Sequence, residues 1–328
     1  MGEAAKKILA ENPEVSRHPY TSVPESQFKY LYEIPITLYL KIGNEFIVFV
    51  EKHDPTRSEV IDTLFDQKIK RVYVHLTDSK LLFRETERHL REIIDSPKIA
   101  FEDKAQALNA AALSVIEDLF ENPDNAERLH STRPLIESHI TLLQNHPKSF
   151  IFMSNLGAHD YYSYTHSIGV ANYSLAYCLT NKVMNEGQIP EAGQAALLHD
   201  IGKAKVPWEI INKKDKLTER EWQAMKQHPV LGHAILMDSG FNSDLILQAT
   251  RNHHENLDGS GYPDGLKDDE LHEITQVVGM SDVFSALTTN RSYSNARSSF
   301  EAFKFMKDTF NNKFRQEIFR NFLLMFHE

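Results

Sequence analysis

The stretch QAALLHDIGKAKVP, residues 194–207, decides how the second half of the chain is read. Pro190 stands where a first-turn proline belongs, since it lacks only an N–H that the first turn would leave unpaired anyway. The apolar run that follows predicts a buried helix, and it stops abruptly at His199-Asp200. Outward from there the signals remain helical from about residue 150 onward. Thr218 and Glu221 form a capping-box pattern before EWQAMKQH. Asn242 or Ser243 would cap DLILQATRNHH, and ITQVVGMSDVFSALT reads as an apolar helix with one acid, Asp282. An all-α bundle is expected over 150–328.

Upstream the periodicity changes. IPITLYLKI and EFIVFVEK are β-branched and aromatic runs joined by Gly43-Asn44, a two-residue hairpin signal. Arg57 to Gln67 reads as a short helix, RVYVHL as another strand and Ser79 to Ile94 as a charged helix, so a small α+β unit is expected over 28–95. Residues 1–27 are polar, hold three prolines and are expected to form a loose arm. Ser96-Pro97 breaks the pattern. FEDKAQALNAAALSVIEDLF and the stretch Asp124 to Gln144 then read as helices over 96–149. Two readings stay open for them: connecting or signalling helices that offer a homodimer contact, or a packed subdomain. The expected architecture is an α+β N-terminal domain followed by an all-α bundle.

Bulk properties narrow the chemistry. At 328 residues the chain exceeds one ordinary core, and 41% hydrophobic with 25% charged residues excludes global disorder. A formal charge of −10 argues against DNA or an anionic membrane surface as partner, because no net positive field draws phosphate chains. Cys178 is alone, in the apolar run SLAYCL, so no internal disulfide or thiolate cage forms and a small core residue is the simpler reading. No stretch reaches the roughly 20 apolar residues of a membrane span, and no long apolar segment opens the chain, so a cytoplasmic location is expected.

Histidines and acids interrupt the helices: His166, His199-Asp200, His228, His253-His254 and Asp282. A single histidine at a helix end more often caps it or satisfies a core group. Asp282 differs, because a lone carboxylate inside VVGMSDVFSAL is costly to bury without a cation or donors. The ordered set is hard to explain as separate accidents. Imidazole and carboxylate suit iron, manganese or zinc, and no sulfur is offered. Five histidines and two aspartates supply donors for two metals with positions left open.

The order His166, AALLHDIGKAKVP, LTEREWQAMKQHPVLG, NHHENLDGSGYPDGL and SDVFSALTTNRSY resembles the HD-GYP phosphodiesterases, a branch of the HD superfamily, over about residues 158–300. The resemblance implies an HD-type helical bundle that hydrolyses cyclic di-GMP to linear pGpG, and onward to GMP, through a metal-bridging hydroxide. It assigns His166, His199, Asp200 and Asp282 to one ion, with Asp200 bridging to a second held by His228, His253 and His254. Two divalent ions, iron or alternatively manganese, are expected. Lys203 would face the scissile phosphate as a cation and proton donor, beside Asp200, while Arg291 would bind a phosphate. Gly259, Gly261, Tyr262 and Pro263 would shape a loop over the substrate, and Asp160 matches an aspartate near the metals.

The chain departs from the family pattern at Tyr162, where a glutamate supports a third metal, so two ions are expected. It departs again at Ser285, where an aspartate is usual, and at Ser292 in place of a proline. The alternative reading, a catalytically weak module that binds cyclic di-GMP or another cyclic dinucleotide and signals through protein partners, rests on Ser285. A different HD-type nucleotide hydrolase is disfavoured by the intact GYP block.

Overall fold

A computed structural model describes residues 19–156, 163–182, 184–213, 215–289, 296–310 and 313–326. Four antiparallel strands open the chain: β1 (Tyr20–Pro24), β2 (Leu38–Ile42), β3 (Glu45–Val50) and β4 (Arg71–His75), in the spatial order β1-β4-β2-β3. The β2–β3 hairpin turns through Gly43-Asn44, with Ile42 opposite Glu45. α1 (Arg57–Asp66) packs Ile61 and Leu64 into a core with Val23, Leu38, Val72 and Val74.

The expected loose arm over 1–27 is therefore too long. Tyr20–Pro24 is a strand paired along its whole length with β4. Prolines at 19 and 24 read as breakers in sequence, yet they bracket the strand at ends where a missing N–H costs no ladder bond. Thr21 and Ser22 are buried, so the polar look of the segment hid its position.

α2 (Leu76–Asp95) gives Leu82 and Phe83 to this first core and Leu90 and Ile94 to a second. That second core gathers the rest of the chain: α3 (Phe101–Glu121), α4 (Ala126–His130), α5 (Thr132–Asn145), α6 (Ser149–Leu156), α7 (Ser163–Asn181), α8 (Ile189–Leu198), α11 (His228–Asp238), α12 (Asp244–Asn252), α13 (Glu273–Thr288), α14 (Ser299–Thr309) and α15 (Gln316–Leu324). Two short helices, α9 (Trp208–Ile211) and α10 (Glu219–Met225), lie between α8 and α11. The helices over 96–149 are thus packed into the bundle: α3 buries Ala105, Leu108, Ala112, Val115, Ile116 and Leu119 along one face. Each large aliphatic side chain there contributes about 1.5–3 kcal/mol. The stretch expected as one helix from Asp124 to Gln144 is two, because Ser131 separates α4 from α5.

Buried polar contacts join the sheet to the bundle. Asp118 on α3 accepts from the Ser22 N–H at 3.3 Å and pairs with Arg128 at 3.2 Å, both carboxylate and guanidinium being buried. Arg71 on β4 pairs with Glu117 and Glu121. Among the described residues no helix is long and apolar enough to cross a membrane.

Candidate metal centre

Helix ends supply most of the centre. His199 caps α8, and Asp200 follows it into a 3-10 turn over Ile201–Lys205. His228 opens α11 and His253 closes α12, with His254 next in the chain. His166 lies in the first turns of α7, and Asp282 projects from the middle of α13. Gly202 makes the approach feasible: a Cβ there would lie 1.9 Å from the His228 carbonyl oxygen and 2.4 Å from the Gly232 nitrogen. Backbone touches backbone at this point, which draws Asp200 against His228.

The structure brings all seven side chains singled out as ligands into one place. They form two groups, Asp200 with His228, His253 and His254, and His166 with His199 and Asp282, whose donor atoms within each group lie within 4.8 Å of one another. Asp200 turns one oxygen to each group. Its Oδ2 is 3.4 Å from His199 Nε2 and 3.9 Å from His166 Nε2; its Oδ1 is 3.2 Å from His228 Nε2 and 3.9 Å from His253 Nε2. Asp282 does the same, with Oδ1 3.0 Å from His166 Nε2 and Oδ2 3.7 Å from His254 Nδ1. The sequence assigned Asp282 to one group alone.

Hydrogen bonds fix which imidazole nitrogen faces inward. Nδ1 of His199, His228 and His253 donates to the carbonyls of Ala196, Met225 and Thr250 at 2.8, 2.8 and 2.9 Å. A carbonyl only accepts, so each Nδ1 carries the proton and each Nε2 offers a lone pair. The Nε2 atoms of His228 and His253 consequently face each other at 3.3 Å as two acceptors with no proton between them. His199 Nε2 and Asp200 Oδ1 are likewise buried with no aligned hydrogen bond. An unsatisfied buried polar atom costs about 1–3 kcal/mol. A cation held among these atoms removes that cost, so the donor set fits divalent metal ions.

Electrostatics point the same way at three of the five rings. Burial holds the pKa of His166 and His253 below the ordinary histidine value, and that of His254 at about 3, keeping these rings in the neutral form that ligates. Burial also disfavours a charged His199, but Asp200 outweighs it and the pKa rises. Asp200 and Asp282 stay well below the usual carboxylate range despite burial, the first through Lys203 and His199, the second through His166. Lys203 Nζ sits 2.5 Å from Asp200 Oδ2.

Over the centre lies the loop that follows His254. Tyr262 stacks on the His254 ring with centroids 4.8 Å apart. A Cβ on Gly261 would fall 2.4–2.6 Å from the backbone of His254, Glu255 and Asn256, so only glycine lets the loop lie this close. Gly259 adopts a positive φ of 77°, and Pro263 follows Tyr262.

Sequence reading missed what ties this loop down. Glu255, buried, accepts from the N–H groups of Asp264, Gly265 and Leu266 at 2.7, 2.9 and 3.2 Å. Arg251 pairs with Asp264 through two hydrogen bonds at 2.8 and 2.7 Å. The available signal was a carboxylate just before a turn rich in unpaired N–H groups. Ser285, noted only as a lost carboxylate, shares a 3.0 Å hydrogen bond with His166 Nδ1. Asp160 and Arg291, with Tyr162 and Ser292, lie outside the described residues.

Comparison with known proteins follows this geometry. Residues 130–318 match the family model described as HD domain. The chain is 34% identical over 178 residues to a cyclic di-GMP phosphodiesterase of Pseudomonas aeruginosa, covering 54% of this chain and 42% of that protein. It is 30% identical over 248 residues to a 3'3'-cGAMP-specific phosphodiesterase of Vibrio cholerae, covering 71% and 51%. A cyclic di-GMP phosphodiesterase of Thermotoga maritima is 37% identical over 143 residues, covering 43% and 38%. The chain spans about half the length of these relatives or less. In fold it is similar to an HDG"Y"P protein of Bdellovibrio bacteriovorus, with a TM-score of 0.69 at 18% identity over 94% of this chain and all of the other.

Proposed function

Because the chain belongs to the HD domain family, we propose that it is a metal-dependent phosphodiesterase that opens cyclic di-GMP to linear pGpG, and carries it onward to GMP. The observation that carries the proposal is Asp200, which turns one oxygen to each of two histidine groups. The relatives named above are phosphodiesterases of cyclic dinucleotides, which supports that substrate class. His166, His199, Asp200 and Asp282 would hold one divalent ion, and Asp200, His228, His253 and His254 a second. Iron, or alternatively manganese, suits a set of imidazoles and carboxylates without thiolate. Bound, the two ions supply Lewis acidity toward the phosphoryl oxygens and an activated water.

The chain's own residues divide the remaining work. Water attacks phosphorus, the bond from phosphorus to the ribose O3′ breaks, and the 3′ oxygen leaves with a proton. Lys203, within reach of Asp200, is the cation that offsets charge on the phosphoryl oxygens and the donor of that proton. The three carbonyl-anchored imidazoles are fixed around Asp200 and need no rearrangement during reaction. Tyr262 stays protonated, its pKa raised by burial and by Asp282, and offers a ring and a hydroxyl to the nucleotide with Gly261 and Pro263 shaping the loop. Arg291 and Asp160 are assigned to substrate binding on the resemblance alone. The N-terminal sheet unit is assigned to regulation or assembly, including a homodimer.

Purified protein loaded anaerobically with iron, or with manganese, is expected to convert cyclic di-GMP to pGpG, followed by chromatography. Asp200→Ala should abolish both the conversion and the metal content. Tight binding of cyclic di-GMP by the loaded wild type with no product would favour the weakly catalytic signalling module, for which the Ser285 hydroxyl beside His166 is the supporting observation.

A further inference from the structure

The loop bearing Tyr262 shares its rim with α10. Trp222 sets its ring edge-on to Tyr262, with centroids 6.4 Å apart and planes at 75°. Lys226 holds Nζ 5.7 Å from the Trp222 centroid and 5.5 Å from the Tyr262 centroid. His254 covers one face of Tyr262, while Trp222 remains 40% exposed. Lys226 is partly buried, and among the described residues it makes no ion pair.

A lysine over an aromatic ring is worth about 0.5–1 kcal/mol at such a site. That explains a local contact but leaves an indole open to water and a cation without a counter-charge. Both features have a use beside a centre that cuts one phosphodiester of a molecule containing two. When one phosphate sits at Asp200, the second phosphate and its purine must lie outward, along the rim. An exposed indole stacks any base, and an unpaired ammonium accepts a phosphate. Neither group belongs to the motifs that drew attention to the centre.

We propose that Trp222 and Lys226 form a subsite for the half of the cyclic dinucleotide that is not being cut, Trp222 stacking its purine and Lys226 pairing with its phosphate. This rests on the phosphodiesterase reading and adds to it the residues that recognise the dinucleotide as such. Tyr262 stays between this subsite and the metal ligands.

The chain holds two tryptophans, Trp208 and Trp222, so each can be made the sole indole. In manganese-loaded Trp208→Phe, pGpG should quench the remaining fluorescence saturably; in Trp222→Phe it should not. Quenching in both, or in neither, overturns the subsite. In steady-state assays Trp222→Ala and Lys226→Gln should each raise KM for cyclic di-GMP roughly tenfold, with a smaller change in kcat. KM for bis(p-nitrophenyl) phosphate, which has no second phosphate and no purine to reach the rim, should move by less than about twofold in either variant. Trp222→Phe, which keeps a ring, should recover most of the loss. Equal losses on both diesters would mean damage to the centre and would also overturn the proposal. Wild-type protein that cuts neither diester sinks the phosphodiesterase reading, while the quenching experiment still decides the subsite.

Discussion

Replacing Ser285 by alanine removes the hydroxyl that lies 3.0 Å from His166 Nδ1. His199, His228 and His253 are each anchored to a carbonyl, whereas His166 is a ligand candidate held through a side-chain hydroxyl. Loss of such a partner typically weakens metal affinity or activity about 10–100-fold. Ser285→Ala should show that loss in a metal titration, with little change in Tm. A second buried histidine sits outside the centre. His139 Nε2 donates to Asn172 Oδ1 at 3.1 Å, an oxygen fixed because Asn172 Nδ2 donates to Phe150 and Ser154. Burial lowers the His139 pKa from 6.5 to about 4. The unfolded chain therefore binds this proton first, so the stability tied to neutral His139 is complete above the unfolded pKa of 6.5. It is lost as pH falls toward 4, on the order of 3 kcal/mol in all. His139→Gln should flatten that limb of a Tm-against-pH curve. The seven clustered side chains were legible because ligand-type residues recurred in a set order, most at helix ends and Asp282 inside an apolar helix where a lone carboxylate needs a partner. Glu255 offered only the weak signal of a carboxylate ahead of a turn, because its partners are backbone N–H groups.

Between elements, close backbone approach governs. Gly202→Ala places a methyl 1.9 Å from a carbonyl oxygen of α11, and neither backbone can yield without moving Asp200 from His228. It should cost about 1–3 kcal/mol, as overpacking does, and lower metal content with it. Gly261→Ala strains a half-buried loop against the segment that follows α12. There activity should fall with Tm nearly unchanged, and thermal melts beside rate assays distinguish the two variants. Caps were the most legible part of this level: the Thr218–Glu221 box, Ser243 and Pro190 each mark a helix start in the structure. β1 was not legible, because the four residues between Pro19 and Pro24 carry too short an alternation. The break at Ser131 was missed too, since α4 and α5 continue one apolar face across it.

The two hydrophobic cores are bridged by α2 and clasped by α3, whose Asp118 joins a strand N–H and a buried guanidinium. Removing one partner of a buried ion pair typically costs about 3–5 kcal/mol. Asp118→Ala leaves Arg128 4% exposed and uncompensated, so it should lower the denaturation midpoint of sheet and bundle together, seen by calorimetry as one shifted transition. α3 and the turn after it brace segments next to the centre: Phe120 packs edge-on against Tyr164, two residues before His166, and Asp124, beyond the helix, pairs with Lys205 at 2.9 Å. The paired carboxylates have a consequence at this scale. Side chains from α7, the end of α8, α11, the end of α12 and α13 converge on them, so bound ions would cross-link segments distant along the chain. A ligand that binds only the folded state raises its stability. From protein loaded with two ions, a chelator should thus strip both in one step, because each oxygen left behind loses the charge that oriented its twin, and the bundle should melt earlier without passing through a half-loaded form.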